Sequence, residues 1–353
     1  MAARGTMMAW RLVAFGKGPQ LQEVPIPVPA AGEVLIKVAG NGLCHSDVGL
    51  MDPRFDAPPF PGWQLPFTLG HEVAGWVESK GAGVSGHSPG EPVLLVATES
   101  DGTCSFCQAG MDNNCDASGA GRGYGRDGGL APYMLIRNAR PLIPLKTLDP
   151  VTAGPLADAG ATSMHAVRRV LPRLGPGTTA VIIGAGGLGS FAVQFVRQLS
   201  PARVVAVDVN PARLEYARSL GAHEAVNGVN AGTVADLKAV TRGRGAEVVL
   251  DFVGIDATIG AGLASVRRTG AYGLIGAGMG TLPHPWFHQL PRDGEVFCFT
   301  GSTIADLEAV VKLAEQGLLR NDTERFSFSE VPEAYDRLEH GRLTGRAVVV
   351  PDA

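Results

Sequence analysis

The apolar run Thr179–Ile183 passes directly into Gly184-Ala185-Gly186-Gly187-Leu188-Gly189. An amphipathic segment follows, with Leu188, Phe191, Ala192, Phe195, Val196 and Leu199 at i, i+3, i+4, i+7, i+8 and i+11. A buried strand that must turn sharply into a helix leaves few folds open. Glycines in such a turn permit a tight bend, close approach of a pyrophosphate and close helix–strand packing, and the helix N-terminus offers N–H groups to phosphates. The chain has 48 glycines, so the hexapeptide is weak by itself and its context decides. The next run, Val204–Val207, ends at Asp208, 19 residues beyond Gly189. A carboxylate there can accept hydrogen bonds from ribose hydroxyls and repel a 2′-phosphate. The expectation is NAD rather than NADP, held by Gly184, Gly186, Gly187, Leu188 and Asp208. Arg213 is close enough in sequence to soften that preference, although a helix-surface arginine is the plainer reading.

The same grammar continues. Asn210 and Pro211 suit the N-cap and first turn of a helix ending at Gly221, and strands are expected at Glu224–Asn227, Glu247–Val253 and Ala271–Ile275. This alternation predicts a doubly wound parallel sheet. Before residue 150 the pattern is different: short strands near Val34–Val38, Val73–Val77 and Val93–Val96, interrupted by Pro/Gly-rich stretches at Asp52–Phe67 and Asp101–Gly129. Loops that long are usually functional. After about residue 296 come a strand (Val296–Thr300), a helix (Ile304–Glu315) and a closing strand (Ala347–Val350), which return to the first region. A chain of 353 residues exceeds one ordinary core, in keeping with two domains. With 30 Lys+Arg against 34 Asp+Glu and no basic run, nucleic acid is an unlikely partner. No apolar stretch is long enough for a membrane span, and Met1 to Trp10 lacks a secretory h-region, so the protein is expected in the cytoplasm.

Five cysteines are too few and too unevenly placed for a disulfide framework, but Cys104, Cys107 and Cys115 fall within twelve residues. Cys44 in GLCHSD and His71 in LGHE are a thiolate and an imidazole, ligation suited to zinc. Two ligands do not make a site. A lone cysteine is commonly a small buried hydrophobe, and a lone histidine a satisfied polar group.

GLCHSD, TLGHEVAG, the cysteine cluster, LADAGATSMHAV and VIIGAGGLG occur in an order and spacing that resembles the zinc-dependent medium-chain alcohol dehydrogenases, most closely the bacterial NAD-dependent secondary-alcohol dehydrogenases. The resemblance runs from PVPAAGEVLIKV to TGRAVVVP. It implies a GroES-like, mostly-β catalytic domain over 1–159, completed by 296–353, and a Rossmann doubly wound domain over 160–295. It implies a catalytic zinc on Cys44, His71 and Asp158, with Glu72 beside it, and Asp47 orienting His71. The competing reading of Asp158 is a helix cap. Ser46 would pass the proton of the substrate alcohol, His45 and Arg346 would lie toward the cofactor pyrophosphate, and Val253 toward the nicotinamide. Trp63, Phe67, Phe299 and Thr300 would line an apolar substrate pocket. Asp101, Cys104, Cys107 and Cys115, at offsets of 3, 6 and 14, match a structural-zinc lobe whose first cysteine is replaced by aspartate; the alternative is a vestigial loop with three thiols. Some members place a relay histidine where this chain has Gly49. The expected activity is hydride transfer between a hydrophobic, secondary or aryl alcohol or carbonyl compound and NAD, in a homodimer or homotetramer. The rival activities are a polyol dehydrogenase, an imine or C=C reductase of the same superfamily, and a noncatalytic dinucleotide-binding protein.

Overall fold

The computed structural model describes residues 5–55, 57–58, 62–283 and 285–352. It divides into two compact units, Met1–Ala161 with Gly301–Ala353, and Thr162–Thr300. The Pro/Gly-rich stretch before Phe67 includes positions 56 and 59–61, which lie outside the described residues.

In the first unit the strand order among the described residues is Leu142–Pro144, Pro92–Leu95, Glu72–Lys80, Val34–Gly42, Arg346–Val350, Thr323–Ser327, with Tyr133–Ile136 also pairing to Val34–Gly42. The central strand, Val34–Gly42, is buried along nearly its whole length, which explains its apolar run. Its antiparallel partner is Glu72–Lys80, with Gly42 opposite Glu72. That register brings Cys44, two residues past one strand end, level with His71, one residue before the other. Arg346–Val350 pairs antiparallel on the other edge, with Val348 opposite Gly42. One core of this unit gathers Trp10, Leu12, Leu43, Leu69, Tyr335 and Val349.

The second unit holds a parallel sheet in the order Glu224–Asn227, Arg203–Asp208, Thr179–Ile183, Ala246–Asp251, Val266–Leu274, Glu295–Cys298. This is the doubly wound order 3-2-1-4-5-6, whose direction reverses between the first and fourth strands. Helix Gly187–Leu199 follows the first strand and buries Phe191, Ala192, Phe195 and Val196 against the sheet. Leu199, at its last turn, is exposed, so the apolar face ends at Val196. Asn210 caps helix Pro211–Ser219 by accepting from the Ala212 amide at 2.9 Å. The last strand stops at Cys298, short of the expected Thr300, and forms the edge of the sheet.

Candidate active site

In the first unit Cys44, His71, Glu72 and Asp158 each offer a ligand atom, and these atoms lie within 4.8 Å of one another. Cys44 leads into helix His45–Met51, and Asp158 sits between the 3₁₀ turn Gly154–Leu156 and helix Ala159–Val170. Gly154 lets that turn press onto the sheet: a Cβ there would stand 2.5 Å from the Glu72 carbonyl oxygen. Cys44 Sγ is 3.7 Å and His71 Nε2 3.5 Å from Asp158 Oδ2. A tetrahedral zinc with bonds of about 2.0–2.3 Å sets its ligand atoms roughly 3.3–3.7 Å apart, so the two separations measured from the carboxylate oxygen are those such an ion requires. Glu72 Oε2 is buried without a hydrogen-bond partner among the described residues, an acceptor suited to a cation.

The surroundings hold these groups in place. Asp47 Oδ2 accepts from the Cys44 amide at 3.2 Å and from the Tyr335 hydroxyl at 3.1 Å. Asp47 Oδ1 lies 3.3 Å from His71 Nδ1, a close pair off the hydrogen-bond line. Burial pushes the Glu72 carboxyl up to about 7, against the pull of the Arg346 guanidinium. Arg346 Nη2 donates to Glu72 Oε1 at 2.5 Å and to the Leu43 carbonyl at 2.9 Å. The arginine expected at the pyrophosphate is therefore buried in the first unit, beside Glu72.

Tyr124 joins the cluster without having been singled out in the sequence. Its hydroxyl lies 3.2 Å from His71 Nε2 and 2.5 Å from Ser46 Oγ. Burial holds its phenol well above the usual range, so it is a neutral hydroxyl. The signal that could have found it is GRGYGRDGG, in which a tyrosine stands alone between glycines. Trp63 is half-buried, edge-on to Phe67 at 5.7 Å and 5.6 Å from the Tyr124 ring. Phe67, expected in the pocket lining, is 1% exposed, belongs to the core and backs Trp63. Its strand pairs with Thr6–Leu12, which turns the ring inward. His45 is exposed on the first turn of its helix.

Asp101, Cys104, Cys107 and Cys115 likewise offer ligand atoms within 4.8 Å. The Asp101 amide donates to Cys115 Sγ at 3.4 Å and the Cys107 amide to Cys104 Sγ at 3.5 Å. Backbone N–H groups of Thr103 and Cys104 hold the Asp101 carboxyl at about 2, and the Cys107 amide lowers the Cys104 thiol. Burial pushes the Cys107 thiol up to about 12.

In the second unit, a Cβ at Gly189 would stand 1.8 Å from the Gly184 carbonyl oxygen, and one at Gly184, whose φ is 86°, 2.7 Å from Val253 Cγ2. These two glycines are dictated by the fold. At Gly186 a Cβ would meet only the Arg213 guanidinium at 3.8 Å, which leaves the turn open to a ligand beside a cation. Leu188 opens the helix, and Asp208 Oδ2 accepts from the Ala185 amide at 2.8 Å, tying the end of the second strand to the turn. Phe299 packs on His165 at 4.6 Å and Thr300 is exposed.

Residues 30–147 match the family model of the alcohol dehydrogenase GroES-like domain, and residues 187–316 that of the zinc-binding dehydrogenases. The chain is 36% identical to an NAD-dependent alcohol dehydrogenase of Sulfurisphaera tokodaii, over 98% of this chain and 100% of that one. It is 33% identical to an NAD-dependent alcohol dehydrogenase of Saccharolobus solfataricus, over 98% and 100%. The crystal structure of the Aeropyrum pernix alcohol dehydrogenase superposes with a TM-score of 0.91 at 34% identity, covering 98% of this chain and all of that one. Among the described residues no helix is long and apolar enough to cross a membrane. The fold and these full-length relatives make the chain a member of the zinc-dependent medium-chain alcohol dehydrogenases, an NAD-linked oxidoreductase of alcohols and carbonyl compounds.

Proposed function

We propose that Cys44, His71 and Asp158 hold the catalytic zinc, with Glu72 as a neighbouring carboxylate, and that Asp101, Cys104, Cys107 and Cys115 hold a structural one. The observation that carries the first assignment is the pair of separations at Asp158 Oδ2, 3.7 Å to sulfur and 3.5 Å to nitrogen. When bound, zinc polarises an alcohol or carbonyl oxygen and NAD exchanges a hydride with the carbon that bears it. The residues supply the rest. Asp47 fixes the orientation of the His71 ring from behind, itself held by Tyr335. Arg346 balances the charge of Glu72 in a buried setting. The hydroxyls of Ser46 and Tyr124 provide a path for a proton. Asp208 would accept from the adenosine ribose, Gly186 would admit the pyrophosphate with Arg213 near its charge, and Val253 would face the nicotinamide; His45 is assigned to the pyrophosphate by resemblance alone.

The substrate we favour is a hydrophobic, secondary or aryl alcohol or the matching ketone. Phe15, Trp63 and Tyr124 make a run of ring contacts that ends on His71, at 6.2, 5.6 and 4.6 Å. Such a wall suits a ring and offers few partners to a polyol. Phe299 and Thr300 of the second unit are assigned to the same substrate by resemblance. The edge strand Glu295–Cys298 supports assembly of copies into a dimer or tetramer. Metal analysis beside a spectrophotometric NAD/NADP panel tests the proposal. It is supported by about two zinc ions per chain and NAD-linked turnover of 1-phenylethanol or acetophenone above that of a sugar alcohol. Turnover that survives stripping of the metal defeats the ligand assignment.

A further inference from the structure

The parallel sheet changes its winding direction between Thr179–Ile183 and Ala246–Asp251, which lie side by side with Ile183 opposite Asp251. In such a sheet the ligand crevice lies beyond the carboxyl ends of the strands at that point. The glycine turn after Ile183 meets two others there, the turn at 252–254 and the turn at 275–280. Asp251 ties the last two together. It is fully buried, and its Oδ1 accepts from the Val253 amide at 2.8 Å and the Gly254 amide at 3.0 Å. Its main-chain oxygen accepts from the Ile275 amide at 2.9 Å and the Gly276 amide at 3.0 Å. Asp251 Oδ2 accepts from the Tyr272 hydroxyl at 2.9 Å. That ring shares a core with Ile183, Val249, Ile259 and Leu263, fitted so closely that a Cβ at Gly262 would stand 2.4 Å from it. Burial, with the Asp251 carboxyl beside it, holds the phenol well above its usual range, so the tyrosine is the donor.

The clamp has no slack. Gly254 has a φ of 74°, and a Cβ there would stand 2.0 Å from the Gly276 carbonyl oxygen; one at Gly276 would stand 2.3 Å from the Val253 carbonyl carbon. The Gly278 and Gly280 amides donate back to the Val253 and Gly254 carbonyls at 3.0 and 2.9 Å. Val253 is the half-buried side chain that this clamp presents, and its Cγ2 is the nearest atom a Cβ on Gly184 would meet, at 2.7 Å. It therefore stands against the first glycine of the nucleotide turn.

We propose that Asp251, braced by Tyr272, is the positioning residue for the nicotinamide half of NAD, fixing where Val253 and the turn at 275–280 meet the ring. This rests on the reading above that sets Val253 at the nicotinamide. The adenosine half answers to another carboxylate, Asp208, which is tied to the Ala185 amide at 2.8 Å. Loosening the clamp should therefore affect one half of the cofactor and spare the other.

The test titrates the zinc enzyme and its Tyr272→Phe, Asp251→Ala and Asp251→Asn variants with NADH and with ADP-ribose, the same molecule without its nicotinamide. Binding of ADP-ribose shows that the fold is intact. Tyr272→Phe should weaken NADH about fivefold and leave ADP-ribose within about twofold of wild type. Asp251→Ala should bring NADH affinity down to near that of ADP-ribose and lower kcat roughly 10²-fold, the usual cost of a reacting carbon held about 1 Å out of place. Asp251→Asn keeps an oxygen for both amides and should recover most of both losses. Equal weakening of NADH and ADP-ribose in every variant overturns the proposal, because the pair would then brace the sheet as a whole. So do NADH affinity and kcat within about twofold of wild type in both Tyr272→Phe and Asp251→Ala. If Asp251→Ala binds no ADP-ribose, Tyr272→Phe decides on the same criteria. A wild-type protein that binds ADP-ribose as tightly as NADH would instead refute the placement of Val253 beneath the proposal.

Discussion

Arg346 and Glu72 form a buried ion pair whose removal has a calculable signature. Glu72 has no exposed surface and Arg346 is 6% exposed, so each charge depends on the other. Even with the arginine present, burial raises the Glu72 carboxyl from 4.5 to about 7. A carboxyl raised on folding destabilises the fold wherever the unfolded chain ionises first. Stability of the metal-free protein therefore falls as pH climbs from 4.5 to about 7 and levels above that, by about 3 kcal/mol in all. Arg346→Met removes the counter-charge and keeps most of the volume. Truncating one partner of a buried pair costs about 3–5 kcal/mol, because the remaining charge is left uncompensated. The folded-state value then rises further, so the decline continues past neutrality. The expected outcome in metal-stripped protein is a loss of about 3–5 kcal/mol at about pH 8.5 that shrinks by more than half at about pH 6. Glu72→Gln in the same chain should restore most of it. The assay is urea unfolding followed by tryptophan emission; Trp10, Trp63 and Trp76 belong to the first unit and only Trp286 to the second, so the signal reports the unit that carries the pair. A loss equal at both pH values, or a double variant as unstable as the single, would refute the reasoning and point to lost packing instead.

Asp101→Ala should lower zinc from about two ions per chain to about one while leaving NAD affinity unchanged, and Asp101→Cys should slow loss of that ion to a chelator; atomic absorption after timed chelation reads both. Asp208→Asn should raise the KM for NAD about tenfold or more and narrow the preference over NADP, since a charged acceptor and its repulsion of a 2′-phosphate are both lost. Gly189→Ala places a Cβ 1.8 Å from the Gly184 carbonyl oxygen, so the helix must withdraw from the strand. Loss of NAD binding and faster amide exchange across 179–199 are expected, with catalytic-site zinc retained.

The second unit was legible because its signals are local. Strand Thr179–Ile183, the glycine turn and the periodicity of the following helix lie within about twenty residues, and the hydrogen-bond pattern of a parallel sheet tolerates little else. Cys44 and His71 could be named because their types are rare and chemically pointed. What could not be read was the scaffolding that works across long separations. Tyr335 reaches Asp47 from 288 residues away, and Arg346 reaches Glu72 from 274. No periodicity encodes such pairings; they follow from where Arg346–Val350 and helix Val331–Glu339 settle. Tyr124 was hidden differently, because glycine-rich surroundings read as a loop and a loop tyrosine carries no spacing signal. The burial of Phe67 is equally unreadable, because one aromatic symbol says nothing about which side of a two-residue strand it occupies.

The order of residues along the chain sets the order in which the molecule can be finished. The second unit is one uninterrupted stretch, Thr162–Thr300, and can close its sheet as soon as that stretch has been synthesised. The first unit has by then presented its four clustered ligand atoms, yet the cation that neutralises Glu72 arrives only with residue 346. Only between residue 300 and residue 346 does the nascent polypeptide hold the whole stretch of the second unit and still lack the partner of Glu72, and a ribosome stalled in that interval would leave a product with a complete nucleotide fold and an unfinished core.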